Sequence, residues 1–173
     1  LKAVSAEKIR VTATVRNTGN VSGKEVVQVY ASLPGGILEK EAHRLAAYAK
    51  TNELKPGEAQ EVTMEVKMDG LTSYDEKRAA WILESGFYGI WVGNSLASAK
   101  LCGGIKLDQE VIRRQVRNLF PLKQELEEIS QEASKTAKRA AAAAQQAKEE
   151  ETTVLNIRGA DIATETVEYK KNA

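Results

Sequence analysis

The chain has 173 residues, enough for one well-buried domain with extra segments and too few for two of ordinary size. Its 25 Lys and Arg against 24 Asp and Glu leave a net charge of +1, which argues against a dedicated binder of nucleic acid or of an anionic membrane, since such proteins concentrate basic charge. A single cysteine, Cys102, excludes an internal disulfide, and no apolar run reaches the roughly 18 residues that a membrane-crossing helix needs.

The opening Leu1-Lys2-Ala3-Val4-Ser5 has neither an initiator Met nor the basic-then-apolar plan of a secretory leader. It reads as the middle of a longer protein, and the expected location is the cytoplasm. Residues 1–107 then carry period-two hydrophobicity, the pattern of half-buried strands. Ile9, Val11, Ala13 and Val15 alternate with Lys8, Arg10, Thr12, Thr14 and Arg16. After a Gly-punctuated turn from Asn17 to Gly23, Val27, Val29 and Ala31 repeat the pattern. Val62, Met64, Val66 and Met68 alternate with Glu61, Thr63, Glu65 and Lys67. Tyr88, Ile90 and Val92 oppose Phe87, Gly89 and Trp91, so this strand is apolar on both faces and is expected at the centre of a sheet.

The connectors carry turn chemistry. In Leu54-Lys55-Pro56-Gly57-Glu58, proline supplies the fixed φ and glycine the positive φ of a type II turn. Asp69-Gly70 and Gly93-Asn94-Ser95 are further turn signals. Short strands at near-regular spacing, with no helical pattern between them, predict an all-β antiparallel sandwich.

From Asp108 the pattern changes. Residues 108–121, ending in Leu119-Phe120-Pro121, fit neither period and are expected to form an extended strap leaving the sandwich. Residues 122–151 are rich in Ala, Glu, Lys and Gln. Leu122, Leu126, Ile129, Ala133, Ala137, Ala140, Ala144 and Ala147 recur at spacings of three and four. This predicts a long linker helix of roughly 25 residues, about 40 Å, with a weak alanine seam. Glu149, Glu150 and Glu151 fall where the helix dipole disfavours anions. Residues 152–173 suggest one or two strands, which rejoin the sandwich or begin a further domain.

No catalytic constellation emerges from the sequence. Gly35-Gly36 and Gly103-Gly104 are isolated pairs rather than a phosphate-cradling loop. One His and one Cys cannot make a four-ligand zinc site, so neither metal nor cofactor is expected. His43 has no Ser, Cys or second His in a motif-like context, and a structural role is expected of it. Asp75-Glu76 and Glu127-Glu128 are sequence neighbours, not the facing carboxylates, about 5 to 9 Å apart, of a glycosidase. Among the aromatics, Trp81 and Trp91 read as core or domain-contact residues ahead of a sugar-stacking platform.

The series Val15-Arg16-Asn17-Thr18-Gly19, Gly23-Lys24-Glu25-Val26-Val27-Gln28-Val29-Tyr30, Leu38-Glu39-Lys40, Leu54-Lys55-Pro56-Gly57-Glu58, Leu71-Thr72-Ser73-Tyr74-Asp75, Ala80-Trp81-Ile82-Leu83-Glu84-Ser85-Gly86-Phe87-Tyr88 and Val92-Gly93-Asn94-Ser95 resembles the fibronectin type III-like domain of glycoside hydrolase family 3, the β-glucosidase family. A looser likeness extends to Arg114-Gln115-Val116-Arg117-Asn118-Leu119-Phe120-Pro121-Leu122, similar to strings in members whose (β/α)₈ barrel stands last. The resemblance implies a fibronectin type III-like sandwich over 1–107 and an architectural role within a larger retaining β-glycosidase. In that family the aspartate nucleophile comes from the barrel and the acid/base commonly from an α/β sandwich domain, so no catalytic residue is carried over to this chain. Ala46-Ala47-Tyr48-Ala49-Lys50 departs from the Gly-Phe usual in members, and the Ala-rich helix lies outside the likeness. Tyr74, Arg78 and Trp81 are the expected contacts with the catalytic domains of the parent enzyme. A carbohydrate-binding module and a protein-interaction adaptor are the alternatives. Taken alone, the chain is expected to be inactive.

Overall fold

The computed structural model of the chain describes residues 1–120, 123–124, 138, 141–147 and 152–167. Alternation along the strands sorts them into three sheets. The first pairs β1 (Lys2–Ser5), β2 (Lys8–Arg16) and β5 (Ala59–Lys67) in the order β1-β2-β5. β2 and β5 run antiparallel in a register that puts Ile9 opposite Val66 and Val11 opposite Met64, so the inward residues of both strands line one face.

The second sheet has five strands in the order β11-β9-β8-β3-β4, comprising β11 (Thr153–Ile157), β9 (Lys100–Leu107), β8 (Gly86–Gly93), β3 (Val26–Ser32) and β4 (Arg44–Lys50). β8 lies at its centre, as its two-faced apolar pattern predicts, and both Tyr88 and Ile90 are buried. The inward faces of these two sheets share one core, in which Ile9, Val11, Met64 and Val66 meet Val27, Val29, Ile90 and Ile105. The third sheet, in the order β12-β10-β7-β6, joins β12 (Glu165–Thr166), β10 (Val111–Gln115), β7 (Ala80–Leu83) and β6 (Ser73–Asp75). It contributes Leu83 and Val111 to the same core.

The connection after β2 is not a hairpin: β2 and β3 belong to different sheets, and Asn17 holds the crossing in place. Its side-chain amide donates to the carbonyls of Val21 and Leu54, both at 2.8 Å, while its Oδ1 accepts from the Gly19 amide at 2.9 Å. The Pro56-Gly57 turn has the expected geometry, with Gly57 at φ 81° and the Glu58 amide donating to the Lys55 carbonyl at 2.9 Å.

The segment expected as a free strap is in part a strand. Val111–Gln115 runs antiparallel to β7, pairing Ile112 with Ile82 and Arg114 with Trp81. Among the described residues all strand pairings are antiparallel except two, β11 with β9 and β12 with β10, and both are made by residues after 151. Of the long helix expected over 122–151, Lys138 and residues 141–147 are helical, with Ala143 and Ala147 buried. Lys123 and Gln124 form a bend instead of helix, and the rest of that expectation lies outside the described residues.

Two devices lock the sheets together. Tyr88 is buried, and its hydroxyl donates to the Glu84 carbonyl at 2.7 Å, a corner of the kind that sandwiches use where a strand enters the sheet. Burial pushes the Tyr88 phenol well above its ordinary pKa. Beside it, Lys40 and Glu84 form a buried ion pair. Lys40 Nζ donates further to the carbonyls of Pro34 at 3.1 Å and Leu38 at 3.0 Å, and the Glu84 carboxylate accepts from the Ile37 amide at 2.6 Å.

Removing one charge of such a pair strands the other in the interior. Lys40→Met is expected to destabilise the chain by about 3–5 kcal/mol, whereas Lys40→Met combined with Glu84→Gln restores a large part, since the glutamine oxygen still accepts from Ile37. Urea unfolding midpoints of the two variants measure the difference.

Candidate domain-docking surface

The third sheet brings together the residues expected to contact a neighbouring domain. β6 and β7 pair antiparallel with Tyr74 opposite Trp81, and β10 continues the row with Arg114 opposite Trp81. Alternation across β6 sends Ser73 and Asp75 inward and Tyr74 outward, and on β7 Ala80 and Ile82 inward and Trp81 outward. The two rings lie 5.3 Å apart at a tilt of 50°. Trp81, a large aromatic in the middle of a paired strand, remains 40% exposed. Such a residue suits an anchor in a protein contact.

Arg78 stands in the β6–β7 turn and has a different place in the site. Its Nε donates to Asp75 Oδ2 at 2.5 Å, and its two terminal nitrogens donate to Glu110 Oε1 at 2.6 Å and Oε2 at 3.0 Å. This forked pairing occupies the guanidinium within the chain itself. The turn is further pinned by Gln115, whose side-chain amide donates to the carbonyls of Arg78 and Ala79 at 2.8 and 3.0 Å. Ala79 has φ 49°, a conformation that non-glycine residues seldom adopt and that these bonds hold in place. Arg78 therefore orients the turn carrying Trp81. Neither Glu110 nor Gln115 was legible as part of the site, because both lie more than thirty positions away and meet Arg78 only through the β7–β10 pairing.

The electrostatics follow from the fork. Hydrogen bonding to Arg78 holds the carboxyls of Asp75 and Glu110 below the usual carboxylate range, and the Arg78 pKa is raised in turn. Asp75 also accepts from the amides of Lys77 and Arg78, at 3.0 and 3.1 Å, closing the turn.

The other residues singled out from sequence lie elsewhere. His43 packs edge-on against Trp91, with centroids 5.0 Å apart, and Trp91 donates from Nε1 to Ser32 Oγ at 3.1 Å. Cys102 donates from its thiol to the Ile90 carbonyl, and burial raises its pKa, which suppresses the reactive thiolate. Among the described residues, no three of His, Cys, Asp and Glu converge as a metal site. No helix among them is long and apolar enough to cross a membrane.

Comparison with known proteins places this geometry in context. Residues 25–96 match the fibronectin type III-like domain family. β-Glucosidase A of Butyrivibrio fibrisolvens is 43% identical over 118 residues, which make up 65% of this chain and 14% of that protein. A β-glucosidase of Ruminococcus albus is 39% identical over 118 residues, 65% of this chain and 12% of its own length. Among solved structures, a β-glucosidase from Paenibacillus barengoltzii superposes with a TM-score of 0.62 at 31% identity, over 68% of this chain and 14% of that one. β-Glucosidase 3B from Thermotoga neapolitana, in complex with glucose, superposes with a TM-score of 0.58 at 37% identity, over 62% of this chain and 15% of that one. The chain thus spans no more than 15% of the length of any of these four.

The Arg78 fork makes stability depend on pH in one direction. Asp75 and Glu110 titrate lower when folded than when unfolded, so their contribution is fully present above the ordinary carboxylate values of about 4 and disappears as pH falls through the depressed folded values. Arg78→Met is expected to flatten this acid limb, read as the urea midpoint between neutral pH and about pH 3.

Proposed function

Because residues 25–96 form a fibronectin type III-like domain, we propose that this chain is the non-catalytic structural module of a family 3 β-glycosidase. The observation that carries the reading is one of proportion: the chain matches a small, well-defined part of proteins named as β-glucosidases, at up to 43% identity. The chemistry agrees. A retaining glycosidase needs two carboxylates facing a substrate about 5 Å apart. Here Asp75 and Glu110 are both tied to the single Arg78 guanidinium, and Glu84 is buried against Lys40.

On this reading the parent enzyme hydrolyses terminal non-reducing β-glycosides with retention, through carboxylates on its other domains. Those catalytic domains are the partners of the chain, and the tilted Tyr74–Trp81 pair, set by Arg78, is the contact they cover. The module extends beyond residue 107 to take in β10, β11 and β12, since these strands complete its sheets. A cytoplasmic location belongs to the same reading, and a fold without a disulfide does not require an oxidising compartment.

The test uses the chain joined to its catalytic domains. Tyr74→Ser with Trp81→Ser is expected to cost the isolated chain about 1–2 kcal/mol, the loss of a packed cross-strand aromatic pair, and to lower the melting temperature of the whole enzyme by more than that loss accounts for. The isolated chain, rigorously purified, is expected to leave an aryl β-glucoside intact, and hydrolysis above the blank overturns the proposal. Quenching of Trp fluorescence by soluble β-glucan, lost in Trp81→Ser, would instead assign Trp81 to carbohydrate binding.

A further inference from the structure

The residues after 151 return to the sandwich in an unusual way. β11 lies along the outer edge of β9 in parallel register, from Thr153 opposite Gly103 to Ile157 opposite Leu107. The chain then turns at Gly159 and lays β12 beside β10, with Arg114 opposite Glu165 and Gln115 opposite Thr166. A single short segment therefore completes the edges of two sheets. Parallel neighbours in a sheet cannot be joined by a tight hairpin, so the pairing of β11 with β9 is made by a segment that returns from far along the chain.

The seat is shaped for its occupant. Ile157 and Ile162, buried to 6% and 4% exposure, enter the common core from the two ends of the turn. A Cβ on Gly159 would stand 2.7 Å from Gln109 Cγ and 2.8 Å from Val111 Cγ2, so only glycine passes there. The Gly159 amide donates to Asp108 Oδ1 at 2.7 Å, and the Asp108 amide donates to the Ile157 carbonyl at 3.3 Å. On the acceptor side, a Cβ on Gly103 would meet the Thr153 carbonyl at 2.5 Å, which gives the bare backbone of β9 a reason to be bare. Polar contacts complete the seat: the Ala163 amide donates to Glu7 Oε1 at 3.0 Å, Arg113 donates to the Ala163 carbonyl, and Arg114 pairs with Glu165 at 3.0 Å.

We propose that the edge of β9 that β11 covers, continued along β10, is a strand-acceptor site whose ligand is the segment 152–167 of the chain itself, held by its own contacts and not by its covalent connection. The ligand class is an extended peptide that enters parallel to β9, places apolar side chains at the positions of Ile157 and Ile162, and carries glycine at the turn between them. Residues 116–151 then connect two segments of the same sandwich. This inference is independent of the glycosidase reading.

The test is made on the full chain with a protease recognition sequence inserted between Lys123 and Gln124, both exposed. After cutting, the two pieces are expected to co-elute in native gel filtration and to separate in denaturant. A labelled synthetic peptide of residues 152–167, in excess, is expected to exchange into the nicked protein, and the same peptide with Gly159→Val to compete about tenfold less well, because the added methyl groups meet Gln109 and Val111. Three results would overturn the proposal. They are departure of the C-terminal piece under native conditions, retention of that piece without any exchange of the 152–167 peptide, and equal competition by the Gly159→Val peptide.

Discussion

The Lys40–Glu84 pair sits where the chain changes sheets, and the geometry on both sides of it depends on that contact. Glu84 follows β7 of the third sheet and precedes β8, the central strand of the second, while Lys40 closes the loop that leads into β4. Two charges taken out of water carry a desolvation penalty of several kcal/mol each, which their attraction offsets only when every remaining donor and acceptor is satisfied. Here they are: the ammonium reaches two backbone carbonyls and the carboxylate one backbone amide. Gly36 is part of the same knot, since a Cβ there would stand 2.1 Å from Glu84 Oε1. Unlike an apolar pair of the same volume, the ionic pair bonds to named backbone groups of the 34–38 loop.

From that crossing follows the division of labour among the sheets. The first and second sheets enclose the shared core and carry few exposed aromatic rings on their inner strands. The third sheet grows out of the same crossing and turns Tyr74 and Trp81 outward. Its turn is tied by Arg78, Asp75, Glu110 and Gln115, so the exposed ring stands on a fixed platform and loses little side-chain entropy on being covered. The third sheet thus combines a stiffly held turn with an exposed aromatic pair.

Much of this was legible in the residues. Period two along β2, β3, β5 and β8 specified strands, and the two-faced pattern of Tyr88 to Val92 specified the central one, because side chains alternate across a strand whatever the rest of the fold does. Pro56-Gly57 specified its turn type, because φ preferences are local. The turn at Asn17 was legible as a turn but not as a crossing between sheets, since a turn signal says nothing about which strands its ends will join. The segment from Asp108 was legible as extended and not as paired. β10 has no alternation of its own, and its register against β7 shifts between Ile112 and Arg114.

Local composition and spacing thus determined the strand content, the sandwich class and the inward faces, because these depend on side-chain period and backbone preference over a few residues. Pairings between distant positions came only with the tertiary structure. Lys40 meets Glu84 across 44 positions, Arg78 meets Glu110 across 32, and Ala163 reaches Glu7 across 156. No periodicity connects such residues. Their partners are selected by the packing of sheets around one core, and that packing places the ion pair inside, the Tyr74–Trp81 pair outside and residues 152–167 along two sheet edges.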